Sequence, residues 1–150
     1  MRIGVISDTH GLVRPEVLSN FRDCQLIVHA GDIGSPAVMD SLKELAPVIA
    51  VRGNTDKDSW AKQYPLAEII IVKNKCLCIL HDLNKLMLIP AASGFHVVIS
   101  GHSHKPSMKW RGEVLYLNPG SAGPRRFNLP ACLTLMEIEK NMINTHMIEL

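Results

Sequence analysis

Nothing in this chain is long and apolar enough to span a bilayer. Its uninterrupted apolar runs are strand-sized, such as Ile69-Ile70-Ile71-Val72, where roughly twenty residues are needed. An excess of charge of one sign is also missing. Sixteen Lys and Arg against fourteen Asp and Glu leave +2, too little and too dispersed for a nucleic-acid binder. No C-x-x-C zinc spacing occurs among Cys24, Cys76, Cys78 and Cys132, and these read as buried thiols. Repeats, low-complexity tracts and linkers are absent. The opening Met1-Arg2-Ile3-Gly4-Val5 has neither the apolar core nor the cleavage site of a signal peptide, so a cytoplasmic location is expected. What remains is 150 residues, 47% apolar and 20% charged, the composition of one globular domain with a sizeable core.

The first part of the chain alternates strand and helix. Residues 2–7, 26–29 and 47–51 read as strands. Residues 15–21 and 35–45 read as helices, with Pro15 and Pro36 at their first turns and Ser35 as a cap. Such a βαβαβ order implies parallel strands joined by right-handed crossovers. The second part is richer in hairpins: 68–72 with 75–81, 109–110 with 113–117, and 131–137 with 142–148. Residues 97–100 form one more buried strand. Residues 84–95 suggest a helix interrupted at Pro90. The expectation is an α/β chain whose two sheets pack face to face with helices outside.

Four polar clusters each follow an apolar strand: Asp8-Thr9-His10, Gly31-Asp32, Gly53-Asn54-Thr55-Asp56 and Gly101-His102-Ser103-His104, with a lone His81 after residues 77–80. Residues two apart in an extended segment point the same way. Asp8 and His10 can thus reach one centre, His102 and His104 can approach it from another side, and Asn54 and Asp56 share that spacing. Glycines before three of the clusters permit close backbone approach. Carboxyl ends of parallel strands are where α/β sheets place their sites. Mixed oxygen and imidazole ligands suit Mn, Fe, Zn, Ni or Co better than Ca. Two such ions need a bridging carboxylate, for which Asp32 is the candidate. Their residual positive charge would hold a phosphate, and water bound to them becomes hydroxide near neutral pH.

The ordered set D-x-H, G-D, G-N-x-D, H and G-H-x-H resembles the calcineurin-like metallophosphoesterases. Gly53-Asn54-Thr55-Asp56 and Asn118-Pro119-Gly120-Ser121 look like the small bacterial and archaeal branch, to which the retromer's phosphoesterase-like subunit also belongs. The resemblance implies a four-layer α/β/β/α sandwich and a phosphodiesterase using two divalent ions, with Mn first and Ni, Zn, Fe, Co or Mg as others. By motif, Asp8, His10, Asp32 and His104 would hold one metal, and Asp32, Asn54, His81 and His102 the other. Asp32, Asn54 and His102 would form the catalytic set, with Thr55 and Arg125 contacting substrate. Two positions depart from the family pattern. Thr55 stands where the superfamily often has His, and Asp82 where the branch typically has Gly.

Other residues carry two readings. Arg125 and Arg126 either clamp phosphate or lie in a solvated loop. Arg14 and Arg52 flank site loops with the same ambiguity. Asp56 either orients a ligand from behind or stabilises a turn. His29 and His96 read as satisfied core groups, and His146 as a surface residue. Trp60, Tyr64 and Trp110 are candidates for a homo-oligomer interface. The expected partner is a small phosphate ester. The alternative function is a protein-binding scaffold that keeps the fold and metal site. An amidohydrolase, which also uses H-x-H, needs a TIM barrel longer than this chain.

Overall fold

The computed structural model describes residues 1–126 and 128–150. Strand β1 (Arg2–Ile6), helix α1 (Pro15–Phe21), β2 (Leu26–His29), α2 (Pro36–Lys43) and β3 (Val48–Ala50) come first. Both helices begin on a proline, whose fixed φ suits the first turn. Next come β4 (Ala67–Val72), β5 (Lys75–Leu80), β6 (Val97–Ile99), β7 (Ser107–Arg111) and β8 (Val114–Asn118). The chain closes with β9 (Cys132–Glu139) and β10 (Met142–Glu149). These form two five-stranded mixed sheets, ordered β10-β9-β1-β2-β3 and β4-β5-β6-β8-β7. Strands β1, β2 and β3 pair in parallel, as do β5, β6 and β8.

The alternation of side chains assigns each strand's faces. Ile3, Val5 and Val28 meet Leu77, Ile79, Ile99 and Leu117 between the sheets. Ile27 and Leu133 point the other way and pack under Val17, Phe21, Met39 and Leu42 of the two helices. Every described cysteine is a free thiol, and three of the four are buried. Among the described residues, no helix is long and apolar enough to cross a membrane.

The outer face of the second sheet departs from the sequence expectation. Residues 84–95 are not a helix. A 3-10 turn at Leu83–Lys85 leads into irregular turns. Pro90 cannot donate within a helix, and residues 86–89 are all apolar, with no polar face to turn to solvent. The segment covers Cys78, Leu80, Val98 and Val114 with Leu83, Leu86 and Phe95. The sandwich is therefore an α/β fold with helices over one sheet and short turns over the other. This thin cover leaves Ile69 and Ile71 51% and 76% exposed, and Met87 and Ile89 93% and 73% exposed.

A candidate metal centre at the strand ends

The motif residues follow the carboxyl ends of β1, β2, β3, β5 and β6. Their backbone is not extended. Asp8, His10, Asp32, His102 and His104 have φ of 54°, 46°, 54°, 67° and 57°, in the left-handed region that residues with a Cβ rarely enter. Asp8/His10 and His102/His104 thus converge because both members turn left-handed, not because extended residues two apart share a face. Such strain costs of order 1–3 kcal/mol per residue and persists only where surroundings enforce it. Here crossing backbone bonds enforce it: Asp8 N donates to Gly31 O at 3.0 Å, His10 N to Asp32 O at 3.0 Å, and Gly123 N to Asp8 O at 3.2 Å. Glycine is required where loops touch. A Cβ on Gly53 would collide with the Asp32 carboxylate, and one on Gly101 with the Ser7 hydroxyl.

The side chains form two overlapping groups, Asp8/His10/His104 and Asp8/Asp32/His81, each with its ligand atoms within 4.8 Å of one another. Asp8 Oδ1 lies 3.3 Å from His104 Nε2 and 4.0 Å from the Nε2 atoms of both His10 and His81. Asp32 Oδ2 lies 3.4 Å from His81 Nε2 and 3.9 Å from His10 Nε2. Both carboxylates thus stand between the imidazoles of the two groups. Asn54 and His102 sit together at the exposed rim, joined at 3.0 Å between Oδ1 and Nδ1. The His102 ring stands edge-on to His81 at 5.2 Å.

Burial governs the charges. It pushes Asp8 up to about 6, with the Asp32 charge adding and the Ser7 hydroxyl, His81 and the His102 amide opposing. Burial works the same way on Asp32, but the His81 imidazole, its Nε2 3.4 Å from Asp32 Oδ2, and the Thr55 amide overcome it and hold Asp32 well below the usual range. Burial lowers His10, and it takes His104 to about 4 with help from Arg126 and His10. In His81 burial is outweighed by Asp32, the Ala30 carbonyl and Asp8, so its pKa rises. Asp8 Oδ1 and His81 Nε2 are buried without a hydrogen-bond partner. His81 Nδ1 faces Ala30 O at 2.8 Å. With Nδ1 donating there, Nε2 faces the cluster and offers a lone pair to a cation once the ring is neutral. Unpartnered carboxylate oxygens and imidazole lone pairs sharing one space fit divalent cations.

Several supporting residues carry no sequence signature of their own. Thr9 Oγ1 donates to Ile33 O at 2.8 Å, so it accepts from His29 Nε2 at 2.9 Å, and His29 Nδ1 accepts from Gly31 N at 3.2 Å. Ser7 Oγ donates to Asp8 Oδ2 at 2.7 Å. Asp56, open between two readings in the sequence, accepts from the amides of Ile33, Gly34 and Gly53 at 3.0, 2.9 and 2.8 Å. It clamps the Asp32 and Asn54 loops and does not point with Asn54 at a shared centre. Asn118 donates to Gly101 O and Ser103 Oγ, and Ser121 to Asp8 O, so the Asn-Pro-Gly-Ser loop braces the site from behind.

The remaining candidates divide. Thr55 contacts Asp32 through its amide at 2.9 Å. Arg125 is the one site candidate not brought to the cluster: its Nη2 donates to Leu150 O at 3.1 Å. Its neighbour Arg126 is the arginine whose charge acts on His10 and His104. Asp82 turns to accept from Asn84 N at 3.0 Å, capping the 3-10 turn. Trp60 and Tyr64 are partly buried against the helix-side core, whereas Trp110 is 56% exposed.

Fold and cluster together describe a hydrolase of the metal-dependent phosphoesterase class. Residues 1–141 match the calcineurin-like phosphoesterase superfamily domain, and the chain belongs to that family. A probable metallophosphoesterase of Methanothermobacter thermautotrophicus is 36% identical over 147 residues, covering 90% of this chain and 85% of that protein. The phosphodiesterase YfcE of Escherichia coli K12 is 29% identical over 161 residues, covering 91% and 88%. The crystal structure of Vps29 from Entamoeba histolytica complexed with Zn²⁺ superposes with a TM-score of 0.77 at 24% identity, covering 99% of each chain.

Proposed function

We propose that this chain is a phosphodiesterase whose site holds two divalent ions, one by Asp8, His10, Asp32 and His104, the other by Asp32, Asn54, His81 and His102. We read residues 1–150 as one such domain acting in the cytoplasm. The observation that carries the reading is the set of unpartnered donors, Asp8 Oδ1 and His81 Nε2, within 4.0 Å of each other. Manganese is the first choice of metal, with Ni, Zn, Fe, Co or Mg as others, and the zinc complex of a similarly folded protein supports a site of this kind. When bound, the ions supply Lewis acidity and lower the pKa of water towards neutrality.

The chain's own residues do the rest. The Thr55 amide helps keep the Asp32 carboxylate ionised, and the Asp56 clamp holds the loop that carries it. Asn54 and His102 present polar atoms at the open rim, where a phosphoryl oxygen can be met. Arg126 adds positive charge on the His10/His104 side, the role expected in the sequence of Arg125. Thr55 cannot protonate a leaving group usefully near neutral pH. General acid catalysis is typically worth 10²–10⁴-fold, so aryl diesters should react well and alkyl esters poorly.

The test is reconstitution. Chelator-treated protein loaded with Mn²⁺ should approach two ions per chain by elemental analysis, and should cleave bis(p-nitrophenyl) phosphate faster than p-nitrophenyl phosphate. Asp32→Asn should lose both ions, Asn54→Ala mainly one. Failure to retain any divalent ion would overturn the reading. A second reading, a binding scaffold that keeps the site, is favoured by one observation, the exposed apolar strip of Ile69, Ile71, Met87 and Ile89.

A further inference from the structure

A cavity of about 230 Å³ adjoins the ligand cluster on the side of Asn54 and His81. Leu66 and Leu80 form apolar wall, and Arg52, Asp82 and Lys85 supply charge. Arg52 is only partly exposed and its backbone is pinned, N–H to Pro65 O at 2.9 Å. Among the described residues, the ion pairs involve neither Arg52 nor Lys85. The one carboxylate in the same cavity offsets only one of these two charges. Asp82 Oδ1 is engaged with Asn84 N, capping the 3-10 turn Leu83–Lys85 that presents Lys85. Two cations against one engaged carboxylate leave the cavity net positive. Leu80 is buried in its wall, whereas Leu66 is 66% exposed, so the cavity opens to solvent on that side. The Arg52 guanidinium reaches solvent beside this cavity and is free to turn to an anion there, and its planar fork suits carboxylate or phosphate oxygens.

We infer that this cavity receives an anionic arm of the substrate: the scissile phosphate lies at the metal ligands, and a second anionic group, carboxylate or phosphate, meets Arg52 and Lys85. The inference rests on the phosphodiesterase reading and narrows its substrate class to diesters with one charged arm. It also gives Asp82 a role, that of fixing the turn that carries Lys85.

The experiment compares p-nitrophenyl diesters whose second arm is propyl, 2-carboxyethyl or 2-phosphoethyl. Each anionic arm gains charge-assisted hydrogen bonds, so KM should fall about tenfold or more below the propyl ester. Whichever anionic arm gives the lower KM identifies the preferred group. In Arg52→Gln/Lys85→Gln the ratio of anionic to propyl arm should collapse to about one. Lys85→Gln alone, at an exposed position, should reduce it part-way, and Arg52→Lys should keep more of it than Arg52→Gln. Equal KM for all three arms, or a ratio that survives the double substitution in folded protein, overturns the inference. A binding readout separates this from failure of the hydrolase reading. In calorimetry on the metal-loaded protein, 3-phosphonopropionate should bind about tenfold tighter than propylphosphonate, and the double variant should abolish the difference. If no diester is cleaved but that difference holds, the hydrolase reading fails and the anion site stands.

Discussion

Asp56 shows how much of the site one buried carboxylate organises. Its two oxygens accept three amides, from the loop that carries Asp32 and from the loop that carries Asn54. Asp56→Asn keeps the shape but turns one oxygen into a donor facing donors. At least one buried amide then goes unpaired, at a cost of about 1–3 kcal/mol. The two loops should also lose their mutual register, with metal affinity falling roughly 10–100-fold as for other groups that orient ligands. Urea denaturation checks the first effect and chelator competition the second. A loss of stability with metal affinity intact would confine Asp56 to holding its loops closed. At this scale the ligand types were legible because D-x-H, G-N-x-D and G-H-x-H are contiguous patterns. The Asp56 contacts were not, because two of its three partners lie in another loop, 22 and 23 residues away. Nor could neighbouring arginines be told apart: both follow the same loop, and only the fold sends Arg125 to Leu150 and lets the charge of Arg126 act on the histidines.

Between elements, His29 ties the ends of two parallel strands together. It closes β2, fully buried, with Thr9 on one nitrogen and the Gly31 amide on the other. Burial brings its pKa down to about 4, against 6.5 for the free group. The folded protein therefore keeps His29 neutral where the unfolded chain would protonate it. Its contribution is fully present above pH 6.5 and declines as pH falls towards 4, by about 3 kcal/mol at most. His29→Gln should lower stability at pH 7.5 yet flatten the dependence of stability on pH between 6.5 and 4, measured by denaturant titration on metal-free protein. An unchanged slope would mean that other groups set the acid sensitivity. The succession of strands along the chain was readable from sequence because buried runs and turn residues punctuate each other cleanly. The segment at 84–95 was not, since Leu, Met, Ala and Lys favour helix while Pro90 and the lack of a polar face forbid one. The left-handed turns at five of the candidate ligands were also out of reach, because they arise from crossing bonds between distant loops.

Over the whole molecule, the two sheets are unequally covered, and this decides what the outer surface can do. Helices seal the first sheet, whereas the second leaves a strip of Ile69, Ile71, Met87, Leu88 and Ile89, each at least half exposed. Ile69, Met87 and Leu88 line one groove. Exposed apolar side chains grouped in this way are what marks a contact surface on a monomer. Strand β4 is also an edge. Val72 and Lys75 flank the two-residue turn at Lys73-Asn74, so Ile69 and Ile71 turn their backbone groups to the open side. The side chain of Glu68 covers one of them, accepting from Ile69 N at 3.2 Å, which is local protection and not a partner. An edge of this kind is self-complementary. Two copies pairing antiparallel about a twofold would set Ile69 of one beside Ile71 of the other twice over, and would bring Glu68 towards Lys73 at both ends. Sedimentation velocity over a wide concentration range should show reversible dimers. Ile71→Lys, remote from the metal ligands, should leave a monomer with unchanged hydrolysis per chain. A protein that stays monomeric at its highest concentration would sink the dimer, and so would a dimer indifferent to Ile71→Lys. In the first case the strip would remain bare for a different partner, and the scaffold reading would gain by it.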